Sequence, residues 1–156
     1  MKEHRLSRAV TPELQQIPET VSWVLSESPA WVDQSLLDTG LTEALTNAIV
    51  HGVLGVTSSG RGEDMTEYLD RVERSSLAAG ALGPPVTVSL ASNDERFLVA
   101  LSWQGVPCPE ENQIPPSRPR PLAGSGLGAT LIHSCFDDVS WGADGRSVDL
   151  CLVRRR

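Results

Sequence analysis

Glu43, Asn47 and His51 recur at every fourth position of the stretch LTEALTNAIVHG, residues 41 to 52. Each such step adds only about 40° of rotation to a helix, so a carboxylate, a carboxamide and an imidazole climb one side of it. Leu41, Ala44, Leu45, Ala48 and Ile49 occupy i, i+3, i+4, i+7 and i+8 of the same stretch, the spacing of an apolar stripe facing a core. The polar rungs are then either a solvated face or a side-chain array held rigid by the buried stripe behind them. A second group lies far downstream, where GSGLGAT places Gly124, Gly126 and Gly128 ahead of Leu131 and Ile132. Glycines at a helix entrance permit positive φ and close backbone approach, leaving N–H groups aimed at an anion. Without Gly-Lys-Ser/Thr this is not a Walker A loop, and it does not follow a strand directly as a dinucleotide fingerprint does. As residues alone it is a phosphate cradle or a glycine-rich linker.

The elements that must carry these groups follow from periodicity and punctuation. HRLSRAV alternates as a first strand, and IPETVSWVLSES follows as a helix with Pro18 in its first turn. Residues 33 to 52 read as one long helix with Asp33 as N-cap, ending at Gly52, and Gly40 inside it marks a possible break at a cost of about 1 kcal/mol. After a Gly/Ser loop at 53–62, Met65, Tyr68, Leu69 and Val72 set the apolar, core-facing side of another helix. VTVSLAS and RFLVALSW form a hairpin turning at Asn93, Asp94 and Glu95, and a second hairpin turns at Ala143, Asp144 and Gly145. Between them, QGVPCPEENQIPPSRPRPLAG is too rich in proline for regular structure, and loops of that length in a domain are functional or disordered. The expected architecture is α/β (α+β): a two-layer sandwich of a mixed, mostly antiparallel sheet of about five strands, with three or four helices on one face.

The chain has 156 residues, the size of one ordinary domain, spanning 1–156. Its 40% hydrophobic and 21% charged residues are those of a soluble globular protein. No apolar run is long enough to span a membrane and the N-terminus lacks a secretory centre, so a cytoplasmic protein that does not enter membranes is expected. A net charge of −7 argues against direct nucleic-acid binding and suits basic protein surfaces instead. Cys108, Cys135 and Cys151 lack the spacing of a zinc cluster and, being odd in number, suggest buried or idle thiols.

Taken together, E-A-L-T-N-A-I-V-H-G and the later G-S-G-L-G-A-T-L-I-H resemble the N-box and second glycine box of the Bergerat ATP-binding fold. That fold is shared by gyrase, histidine kinases and MutL (the GHKL superfamily). The pattern most resembles the small stand-alone anti-sigma factors that are also protein serine kinases, over roughly residues 30 to 153. The resemblance implies ATP and Mg²⁺ as cofactors, with Glu43 orienting or deprotonating the attacking hydroxyl and Asn47 ligating the metal, a hard ion that keeps most of its waters. It implies that Gly124, Gly126, Leu127 and Gly128 wrap the phosphates and that Ser147 stands near the adenine, where the family has threonine. It leaves His51 as a structural histidine at the helix end. The partners implied are a sigma factor and an antagonist protein phosphorylated on serine, and the family's habit of pairing implies a homodimer.

The segment 106–123 corresponds to an ATP lid, from which Arg118 and Arg120 reach a phosphate or simply face solvent. Two departures bear on function. The first glycine box, D-x-G-x-G in the family, reads W-Q-G-V-P here: Gly105 keeps the first glycine, Trp103 replaces the adenine-reading aspartate and Pro107 the second glycine. A buried polar contact that reads a base is worth a few kcal/mol, so its loss sets against the kinase a second expectation, a protein-binding module that no longer takes ATP. The second departure is a helical insertion at about 53–85, either an added partner-binding element or a longer connection.

Overall fold

The computed structural model describes residues 3–57, 62–115 and 127–156. Five strands, β1 (His4–Val10), β2 (Val86–Ser92), β3 (Arg96–Ser102), β4 (Asp138–Trp141) and β5 (Ser147–Val153), form one sheet in the order β1-β2-β3-β5-β4. Each pairing is antiparallel, so the mostly antiparallel sheet expected is antiparallel throughout. Alternation sets its faces: Val86, Val88 and Leu90, Phe97, Val99 and Leu101, and Val148, Leu150 and Leu152 are buried under the helices. The intervening residues face away from them, and the chain is a two-layer α/β sandwich.

The helices are α1 (Gln16–Glu27), α2 (Gln34–Thr46), α3 (Met65–Ala79), the single turn α4 (Glu110–Gln113) and α5 (Leu127–Cys135). Pro18 sits in the first turn of α1, and the Asp33 carboxylate caps α2 by accepting from the N–H groups of Ser35 and Leu36 at 3.0 and 3.2 Å. Asn93 Oδ1 closes the first hairpin by accepting from Glu95 and Arg96, both at 2.9 Å. The second turns at Gly145, whose φ of +71° favours glycine. Among the described residues, no helix is long and apolar enough to cross a membrane.

Three local expectations are corrected. Gly40 does not break α2, which runs through it without interruption. A Cβ there would lie 2.6 Å from Cys135 Cβ and from Phe136 Cε2, so this glycine lets α2 and α5 close on one another. Four residues of the proline-rich segment form α4, its first position following Pro109. Finally, α3 faces the body through Tyr68, Val72 and Ser76, while Met65 and Leu69 are 69% and 55% exposed. Val72 joins Val50 and Val56 in a small satellite core, and Ser76 Oγ bridges to the β1–α1 connection, donating to Pro12 O and accepting from Leu14 N, both at 3.1 Å.

Candidate functional site

The buried stripe of α2 is as the spacing requires: Leu41, Ala44, Leu45, Ala48 and Ile49 are all in the core. Beyond Thr46 the helix widens into a π-helical segment, Asn47–Val53, in which the Leu54 N–H reaches back to Ile49 O at 2.9 Å. Such widenings admit an extra residue per turn and are frequent at functional sites. This one begins at Asn47.

Glu43 and Asn47 are brought to the first turn of α5. A Cβ on Gly128 would stand 2.8 Å from Glu43 Oε2 and 3.7 Å from Asn47 Nδ2, so glycine leaves room for both side chains against the α5 backbone. Gly40 meets Cys135 and Phe136 at the opposite end of α5, which fixes the two helices as antiparallel neighbours. Both Glu43 and Asn47 are half-buried. The free N–H groups of a helix's first turn and its dipole favour negative charge, and Glu43 puts a carboxylate beside that turn. Asn47 brings a carboxamide, its Nδ2 toward Gly128, and among the described residues no three of His, Cys, Asp and Glu gather as a metal cluster. Leu127 opens α5, whereas Gly124, Gly126, Arg118, Arg120 and the lid segment from 116 onward lie outside the described residues.

His51 parts from its two companions. Its Nδ1 lies 2.6 Å from the carbonyl oxygen of Val56, fastening the chain as it leaves the π segment, which is the structural role expected of it. Ser147 is also absent from the cluster. Val148, Leu150 and Leu152 turn inward, so Ser147, paired with Ser102, belongs to the far face of the sheet, its Oγ lying where a Cβ on Gly142 would be. Strand parity thus turns this residue away from the face of the sheet that the helices cover.

The first glycine box has a geometry of its own. Trp103 is 8% exposed, and its indole N–H donates to Val106 O at 2.9 Å. The ring lies against Gly52, where a Cβ would come within 2.5 Å of Nε1. Gly105, at φ +137°, presses on the carbonyl of Gly52, to which Val106 N also donates at 2.9 Å. Arg146 Nε donates to Gly105 O at 2.7 Å, and Cys108 N to Gly145 O at 2.8 Å, so the segment is tied to the second hairpin as well. The indole's only donor is already used, on Val106 O. Glu43, Asn47 and Gly128 thus come together, whereas Trp103 is packed and hydrogen-bonded within its own loop.

The thiols stay out of this chemistry. Burial pushes all three up, Cys108 to about 11 with the Glu111 carboxylate adding to the effect. The π widening at Asn47 and the Trp103–Val106 bond went unread in the sequence. No protein-family model matches the chain, and no curated protein matches it.

Proposed function

We propose that the protein is a signalling regulator of the anti-sigma factor and protein serine kinase type, acting in the cytoplasm. It binds ATP and Mg²⁺, phosphorylates a serine of an antagonist protein and sequesters a sigma factor. One observation carries this reading: Gly128 seats Glu43 and Asn47 together at the first turn of α5, uniting two motifs that are remote in sequence. Phosphoryl transfer asks of a protein mainly positioning and charge neutralisation. Asn47 would hold the metal through its amide oxygen, and the metal when bound supplies neutralisation of phosphate charge. The backbone N–H groups at the start of α5 orient phosphate oxygens. Glu43, a carboxylate beside that turn, aligns the incoming serine hydroxyl and accepts its proton.

The packing of Trp103 favours a second reading, a module of the same fold that binds protein partners and no nucleotide. Titration calorimetry with ATP and Mg²⁺ separates the two. Magnesium-dependent heat in the wild type, lost in Asn47→Ala, supports the kinase. No heat from folded wild type together with binding by Trp103→Asp supports the module, with the indole as the cause. Silence in both proteins would remove nucleotide from the function altogether.

A further inference from the structure

Large apolar side chains left in water gather on one element. Of the eight large hydrophobic residues exposed among the described ones, Met65, Leu69 and Leu77 belong to α3, and Leu82 follows it in the short turn Gly80–Leu82. Leu77 is 76% exposed and Leu82 99%. Exposed apolar residues scattered singly need no explanation, whereas a contiguous row of them marks an interaction site. Here the spacing is regular. Met65, Leu69, Glu73 and Leu77 stand at i, i+4, i+8 and i+12, which on a helix is one continuous ridge. It runs beside the ridge of Tyr68, Val72 and Ser76 that seats α3 on the body. On its other side lies a third ridge, Thr66, Asp70, Arg74 and Ala78, exposed throughout.

The charge along this side of α3 is negative. Glu73 interrupts the apolar ridge, Asp70 flanks it, and Glu67 precedes both by about a turn. All three are exposed, and among the described residues none has an ion-pair partner. The cations of α3 lie off the apolar ridge. Arg71 is held by Glu63, whose carboxylate accepts from Nε at 2.6 Å and from Nη2 at 2.9 Å. Arg74 stands on the third ridge, its Nε donating to Asp70 O at 3.4 Å.

We propose that the outer ridge of α3 is a docking surface for a basic amphipathic helix of another protein. Ridges of i±4 spacing pack into the grooves of a second helix at a crossing of about −50°, and apolar anchors at that spacing are how amphipathic helices are read. Leu69 and Leu77 are the anchors, and Met65 adds an adaptable side chain at one end. Glu73 and Asp70 call for lysine or arginine in register with them. From Met65 to Leu77 the ridge is about 18 Å long, the scale of a peptide contact and not of an obligate interface. A second copy of α3 does not fit. Laid antiparallel about its midpoint, the ridge would set Leu69 of each copy against Glu73 of the other and bury two carboxylates without a cation. The same carboxylates are repelled by an anionic membrane surface. The proposal is independent of nucleotide.

Fluorescence anisotropy of a labelled synthetic peptide, titrated with the full chain in the absence of nucleotide, tests it. The probe is a helical peptide of about 18 residues with leucine along one face and lysine beside it, and its control carries glutamate in place of each lysine. The lysine peptide should bind with a dissociation constant below about 0.1 mM, and the glutamate peptide at least tenfold more weakly. Leu69→Ser combined with Leu77→Ser should weaken the lysine peptide at least tenfold with unchanged circular dichroism, because both side chains lie in solvent. Glu73→Lys should weaken the lysine peptide and strengthen the glutamate one, an exchange that a merely structural effect would not give. Leu36→Ser, at an exposed leucine of α2, should alter neither. A dissociation constant above about 0.1 mM, equal binding of the two peptides, or binding indifferent to Leu69 and Leu77 would overturn the proposal. So would a wild type that sediments as a dimer and becomes monomeric in the double serine variant, since the occupant would then be a second copy.

Discussion

Gly40 and Gly128 lie on helices that pack together, and replacing each by alanine should have opposite consequences. The helical propensity gain is the same in kind, at most about 1 kcal/mol and smaller in the first turn, where Gly128 sits. What differs is the obstacle. At position 40 the new methyl would meet Cys135 Cβ and Phe136 Cε2, both at 2.6 Å, against the roughly 3.5–4.0 Å at which carbon atoms rest. One of those atoms is fixed to the α5 backbone, so the helices must part by about 1 Å, an overpacking that costs about 1–3 kcal/mol. At position 128 the nearest atom is Glu43 Oε2 at 2.8 Å, the free end of a flexible side chain that can swing away. Gly40→Ala should therefore lose about 1 kcal/mol net, a fall in Tm of about 2–4 °C for a chain of this size. Gly128→Ala should match the wild type or exceed it. Urea denaturation with an unchanged m-value, alongside thermal melts, reads both. Gly128→Ala should also displace the Glu43 carboxylate, so any activity that depends on Glu43 should fall in a protein that remains folded. Equal stabilisation by the two alanines would refute the close approach of α2 and α5, and with it the site.

Two further outcomes follow from bonds outside that helix pair. Ser76→Ala should cost about 1–3 kcal/mol, because it strips the partner from both Leu14 N and Pro12 O at the base of α3. A chemical-denaturation midpoint equal to that of the wild type would mean α3 is not anchored there. Asp137 accepts from Val153 N at 2.7 Å and from Arg155 at 3.0 Å, bonds that favour the ionised form and hold its carboxyl below the usual carboxylate range. A depressed folded value means stability that is present above the unfolded pKa, about 3.9, and drains away as pH falls through the folded one. The stability difference between wild type and Asp137→Asn should accordingly shrink below about pH 4, and a difference constant down to pH 2 would exclude this coupling.

Most of the fold is legible because it rests on local rules. Asp33 caps α2, Asn93 turns the first hairpin, and strand alternation sorts every core residue of β2, β3 and β5 to one face. The readings that failed are those in which tertiary contact outweighs a local preference. Gly40 is unfavourable in an isolated helix, and only α5, contributed by a distant segment, makes a missing side chain an advantage there. Met65 and Leu69 have the spacing of a core face, yet α3 rests on a strip only as wide as Tyr68, Val72 and Ser76, because among the described residues the surface beneath it is that of Val50, Leu54, Val56 and the β1–α1 connection. Periodicity reports what a helix could bury; it carries no record of how much surface is there to receive it.

The candidate site divides along the same line. Glu43 and Asn47 could be placed on one face from spacing alone, since that is geometry internal to a helix, but their seat against Gly128 needed the crossing of α2 and α5. His51 shares their spacing and leaves their company because the π segment and the loop after it offer the imidazole a carbonyl at Val56. Ser147 shows the strongest constraint of all. The two-residue period of β5 turns it to the open side of the sheet, and a one-residue slip would drive Val148, Leu150 and Leu152 out of the core. Burying those three side chains is worth several kcal/mol, more than one hydroxyl contact with a ligand returns. Trp103 and Ser147 are therefore set apart from Glu43 and Asn47 for separate reasons, one by the packing of its indole and one by strand parity. The meeting of Glu43 and Asn47 with Gly128, which rests on a single helix face, is insulated from both.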